Sequence, residues 1–77
     1  MKLYEYYGKR IKITDVDGQT FIGLGDNYTS ELDDPDGVAS LTLNPDNRDN
    51  VLISFTESEI AYIEVLSVDA PIMANVV

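Results

Sequence analysis

A chain of 77 residues has room for one domain with a thin core, because a domain of this size buries only roughly 60–65 % of its unfolded surface. Cysteine and histidine are both absent, which excludes disulfides and the usual zinc, iron and haem ligands and fits a reducing compartment. Fourteen acidic against five basic residues give a net charge of -9, so double-stranded DNA, with its repelled phosphates, is not an expected partner.

The opening MKLYEYYGKR contains no apolar leader, and no stretch approaches the roughly 20 apolar residues of a membrane span. A cytoplasmic protein without a membrane partner is expected. Residues 2–7, KLYEYY, read as one helical turn with Leu3 and Tyr7 on a shared face, stopped by Gly8. Residues 10–14, RIKIT, alternate with a period of two, placing Ile11 and Ile13 on one face of a strand and Arg10, Lys12 and Thr14 on the other. Asp17–Gly18 then signals a hairpin, since glycine accepts the positive φ of a tight turn. The second strand, QTFIGLGDNY at 19–28, carries Gly23 and Gly25, whose spacing predicts a bend or bulge that lets one strand serve both halves of a small barrel.

Residues 29–37, TSELDDPDG, read as loop. The third strand is ASLTL at 39–43, with Ala39, Leu41 and Leu43 on one face, and residues 44–50 form a turn cluster. In the fourth strand, VLISF at 51–55, Val51, Ile53 and Phe55 face inward, while Leu52 shares the opposite face with Ser54, where a lone chain would prefer polarity. TESE at 56–59 has the spacing of a capping box and predicts a single helical turn. The fifth strand, AYIEVL, continues the core through Ile63 and Val65 and turns Tyr62 and Glu64 the other way. Residues 1–66 therefore read as one β domain and 67–77, with Pro71, as a tail. Five short strands without a long periodic helix argue for an all-β barrel.

Most chemical constellations fail on their spacing. GLG lacks the third glycine and the helix of a dinucleotide fingerprint, so no cofactor is expected. DVDGQ places glycine at loop position four and has no glutamate at position twelve, so it is not an EF-hand, and ELDDPDG reads as an acidic turn rather than a metal site. The loop carboxylates have no recognisable pocket or base partner, and a non-enzymatic protein is expected. Tyr4, Tyr6 and Tyr7 beside Lys9, Arg10 and Lys12 form an aromatic and basic cluster, of the kind that stacks single-stranded RNA bases or packs a helical turn onto a barrel.

As an ordered pattern, GKRIKITDVDGQTFIGLGDNY at 8–28 resembles the first motif of the Sm-like (LSm) family, through Gly8, Lys9, Ile11, Ile13, Asp17, Gly18, Phe21, Gly23 and Tyr28. ISFTESEIAYIEVL occupies the place of the second motif. The resemblance implies a five-stranded, strongly bent antiparallel barrel of the Sm-like, SH3-type class with a short N-terminal helical turn, in which Gly18, Phe21 and Gly23 are structural, while Gly25 is expected to be structural through the bend that its spacing from Gly23 predicts. It implies a closed homo-oligomeric ring that joins the fourth strand of one copy to the fifth of the next through Leu52, Ser54, Tyr62 and Glu64. The expected function is an oligomeric scaffold or interaction module. The alternative is a ring contacting short single-stranded RNA through Tyr4, Tyr7, Lys9, Arg10, Lys12, Tyr28 and Asp33. Gly25 stands where that family has a large apolar residue, Asp33 where it has a base-binding asparagine, and Phe55–Thr56 near its Arg-Gly pair.

Overall fold

A computed structural model describes residues 2–46 and 51–67. It contains a 3-10 turn at Leu3–Tyr6, strands β1 (Arg10–Asp15), β2 (Thr20–Thr29), β3 (Ser40–Pro45) and β4 (Ile53–Thr56), a second 3-10 turn at Glu57–Glu59, and β5 (Ile60–Ser67). The strands make one antiparallel sheet in the order β4-β3-β2-β1-β5, so the fold is all-β as the strand patterns predict. Of the tail predicted at 67–77, Ser67 ends β5, and residues 68–77, with residues 47–50 of the second turn cluster, lie outside the described residues.

The first hairpin follows directly from local chemistry. Asp15 Oδ1 accepts the N–H groups of Asp17 and Gln19, both at 2.9 Å, and Gly18, at φ 87°, donates its own N–H to the Asp15 carbonyl. Strand register then runs Thr14 to Thr20 and Ile13 to Phe21.

The bend of β2 organises everything else. Residues Thr20 to Leu24 pair with β1 while Gly23 to Thr29 pair with β3, with a register shift between Gly25 and Asn27. The sheet curls over as a result, which one ring contact demonstrates. Phe55 lies opposite Leu41, and Leu41 opposite Tyr28, seven residues along β2 from Phe21. On a straight strand those seven residues span about 23 Å. The Phe21 and Phe55 rings nevertheless meet edge-on at 5.2 Å. A backbone bond from the Val16 N–H to the Glu59 carbonyl, 3.1 Å, continues the β1–β5 pairing one residue past Asp15 and Ile60 and ties the hairpin tip to the second 3-10 turn.

Inside it lie Leu3, Ile11, Ile13, Leu41, Leu43, Phe55 and Ile60, with Tyr6, Phe21, Tyr28, Ile53 and Ile63 packed against them. Three details differ from the alternation pattern. The N-terminal turn is 3-10 rather than α, so the residue sharing the inner face with Leu3 is Tyr6, three positions on, and Tyr7 is exposed. Strand β4 starts at Ile53, leaving Val51 and Leu52 exposed before it, and Val65 on the terminal strand β5 is also exposed. Thr14 is buried although it shares the outer face of β1 with Arg10 and Lys12 and stands opposite exposed Thr20 on β2 and exposed Tyr62 on β5.

Thr14 Oγ1 is buried with no hydrogen-bond partner among the described residues. Thr14→Val keeps the branched shape and removes the unmet hydroxyl. It is expected to stabilise the domain by about 1 kcal/mol, raising Tm by roughly 4–8 °C. A lowered Tm in a thermal melt would mean that the hydroxyl has a partner.

Candidate interaction surfaces

The N-terminal turn sits on β2 because Gly25 has no side chain. A Cβ at that position would collide with the Tyr6 carbonyl oxygen and lie 3.3 Å from its carbon. With hydrogen there instead, backbone bonds form from the Gly8 N–H to the Gly25 carbonyl, 2.8 Å, and from the Gly25 N–H to the Lys9 carbonyl, 2.9 Å. Gly8 itself takes φ 82° as the chain leaves the turn. Docked this way, the turn sets the Tyr4 ring edge-on to Tyr28 at 6.1 Å and 73°. Tyr4 remains 54 % exposed and Tyr7 is exposed beyond it.

The basic residues separate from that aromatic pair. Arg10 pairs with Leu24 of β2 in register, and Leu24 with Asn44 of β3; the Arg10 guanidinium forms an ion pair with Asp46 just past β3. Lys12 lies in register between Ile22 of β2 and Glu64 of β5, while Lys9 precedes β1 and is half-buried. Arg10 and Lys12 thus belong to the outer face of β1, where each has an acidic residue for a neighbour. Asp33 is exposed in the loop after β2 and accepts a hydrogen bond from the Ser30 hydroxyl at 3.2 Å. Of the residues matched to RNA contact, the structure brings Tyr4 and Tyr28 together.

Several loop carboxylates are structural. Asp34 Oδ2 accepts the N–H groups of Asp36, 2.8 Å, and Val38, 3.1 Å, and Gly37, at φ 73°, donates to the Asp34 carbonyl. This repeats the Asp15–Gln19 device residue for residue: Asp-x-Asp-Gly-x occurs at 15–19 and again at 34–38. The repeat is visible in the sequence as DVDGQ and DPDGV and accounts for two of the aspartates that invite a metal reading. No group of three or more carboxylates among the described residues is placed to hold a metal ion. At the second 3-10 turn, Glu59 Oε1 accepts from the Thr56 N–H at 2.9 Å, the predicted backward arm of the capping box.

Two sheet ends form the other surface. Strands β4 and β5 are terminal, so among the described residues each has one edge without a strand partner. Leu52, 57 % exposed, precedes β4, and Ser54 lies on the outer side of it with its hydroxyl 2.9 Å from that of Thr42. Tyr62, 59 % exposed, is opposite Thr14, and exposed Glu64 is opposite Lys12 on β5. The four residues matched to assembly therefore divide between the two terminal strands. Unpaired edges of this kind are templates for pairing with another chain.

No helix among the described residues is long and apolar enough to cross a membrane. Comparison with protein-family models, curated proteins and solved structures found no match.

Proposed function

We infer that the chain is a non-enzymatic, Sm-like oligomeric scaffold or interaction module of the cytoplasm, its copies joined edge to edge with β4 of one meeting β5 of the next. The observation that carries this reading is the pair of sheet ends without a strand partner among the described residues, one flanked by exposed Leu52 and the other carrying exposed Tyr62. The curled sheet supports it, since a bent β2 serving two neighbours and a short turn seated beside it are what the family resemblance implies. The physical gain is direct: pairing dissimilar edges head to tail around a circle leaves no edge exposed and covers apolar side chains that a thin core cannot take in. An RNA-contacting ring has the Tyr4–Tyr28 pair in its favour, but the acidic loop and the charge of -9 oppose phosphate.

Light scattering of the purified chain tests the assembly. The wild type is expected at a multiple of the single-chain mass. Leu52→Lys is expected to lower that mass with an unchanged far-UV circular dichroism spectrum, and Tyr62→Asp to do the same from the other edge. Mixing the two variants should restore one heterologous contact and stop at a pair of chains, because each variant retains the edge that the other has lost. A wild type that runs as a single chain at high micromolar concentration ends this reading.

A further inference from the structure

The core does not use all of the apolar surface of the sheet. On β2, Phe21 packs against the core and Gly23 is buried, so Ile22 and Leu24, one residue out of phase, lie on the outer face, 39 % and 42 % exposed. Register carries that face across the sheet. Leu24 stands opposite Arg10 on β1 and Arg10 opposite Ser67 on β5, while Ile22 stands opposite Lys12 and Lys12 opposite Glu64. Leu66, also exposed, sits at the register shift between the Arg10–Ser67 and Ile11–Val65 pairs. Leu66 and Leu24 are therefore about two strand spacings apart, roughly 10 Å, and Ile22 follows about 7 Å along β2.

We propose that residues 68–77 of the same chain, VDAPIMANVV, turn back from the end of β5 and lie across this face, over Leu66, Leu24 and Ile22. The composition of the segment is the first argument. Seven of its ten residues are alanine, valine, isoleucine or methionine, and Asp69 is its single charge, against 25 % charged residues in the whole chain. Residues 70–77 carry no charge at all, so laying them on an apolar surface strips no ion of its water. In extended form Ile72, Ala74 and Val76 share one side, which gives the sheet an apolar strip to meet. The point of attachment is the second argument. Ser67 lies opposite Arg10, in the same row as Leu24, so the segment starts at a corner of the face it is to cover. Asp69 and Pro71 are turn residues placed directly after that corner. The six residues from Ile72 to Val77 then reach about 20 Å, enough to cross from Leu66 to Leu24 and on to Ile22. A cleft lined by Phe21, Ile53 and Phe55 is also apolar, but it lies by the hairpin tip, at the Asp15 end of β1 and about 17 Å along that strand from Ser67. Tethering settles the occupant in favour of the chain's own segment, because a few residues of linker give an effective concentration that a separate partner does not match. The inference goes beyond the assembly reading and occupies a sheet face rather than either free edge.

The test uses the full chain with labelled isoleucine, leucine and valine methyl groups and reads nuclear Overhauser contacts between them. Contacts are expected from Ile72 and Val76 to Leu66, Leu24 and Ile22, with the methyl shifts of Ile72 and Val76 displaced from those of a free VDAPIMANVV peptide. Ile72→Ser should abolish the contacts and return Val76 to its free-peptide shift, while the methyls of Ile11, Ile13, Leu41 and Leu43 stay in place. Leu24→Ser should release the segment from the other side. Leu52→Lys, designed to break the assembly, should keep every contact. Free-peptide shifts for Ile72 and Val76 in the wild type, contacts confined to another surface, or indifference of Val76 to Leu24→Ser would each overturn the proposal. So would contacts between copies in a mixture of chains labelled only at isoleucine and valine with chains labelled only at leucine, since the occupant would then be a neighbour's segment. Light scattering on the same samples reads the assembly separately. A single chain that shows the contacts keeps the covered face without the assembly, and an assembled chain without them keeps the assembly alone.

Discussion

Gly23→Ala is expected to destabilise the domain by about 3 kcal/mol, the upper part of the range for forcing atoms into a filled space. The cause is room rather than backbone conformation. A Cβ built on Gly23 collides with the Asn44 carbonyl oxygen and lies 2.8 Å from both the Asn44 carbonyl carbon and the Pro45 Cα. These are backbone atoms of β3 and cannot swing aside. Relief requires β2 and β3 to separate where Gly23 pairs with Pro45 and Leu24 with Asn44, at the crossover between the two halves of the curl. Gly8→Ala is the matched control: at φ 82° with nothing within 4 Å of a new Cβ, it should cost only about 1–2 kcal/mol of left-handed strain. Urea unfolding followed by circular dichroism measures both. A Gly23→Ala protein within about 0.5 kcal/mol of wild type, an ordinary surface effect, would show that β2 does not press against β3 in this way.

Leu43→Ala is expected to cost about 3–4 kcal/mol, within the range for truncating a buried leucine. Domains hold roughly 0.05–0.15 kcal/mol per residue, or about 4–12 kcal/mol for this length, so the loss removes about a quarter or more of the total. Leu43 is 0 % exposed and stands in register between Gly25 on β2 and Ile53 on β4. On the Gly25 side there is no side chain to relax into the vacated volume, and the backbone of Tyr6 is already seated against that glycine. A cavity that cannot collapse gives the larger costs of the series. Leu43→Met, close in volume, should cost less than about 1.5 kcal/mol. Equal losses in the two variants would place Leu43 outside a packed core.

Much of the fold could be read locally. The alternation in RIKIT identified Ile11 and Ile13 as core, the Asp-Gly at 17–18 identified the hairpin, and Gly23 with Gly25 identified the bend. Each signal depends on neighbours within a few residues and on the steric freedom of glycine. The candidate sites were far less legible. Tyr4 and Tyr28 read as separate residues until the N-terminal turn docks, because no local pattern joins positions 24 residues apart. The terminal strands could be guessed from the exposed apolar positions Leu52 and Tyr62, yet their unpaired edges follow from the sheet order.

By itself, then, the sequence determined which residues extend, where the chain turns, and which side chains seek the interior, because those properties follow from periodicity, φ preference and hydrophobicity over short spans. Only the tertiary structure decided that Tyr6 rather than Tyr7 joins Leu3, that the Thr14 hydroxyl is buried, and that Tyr4 and Tyr28 meet. Those outcomes depend on register and on how far one strand curls over another. Register and curl are set by the packing of segments distant in the chain, which a period-two pattern leaves open.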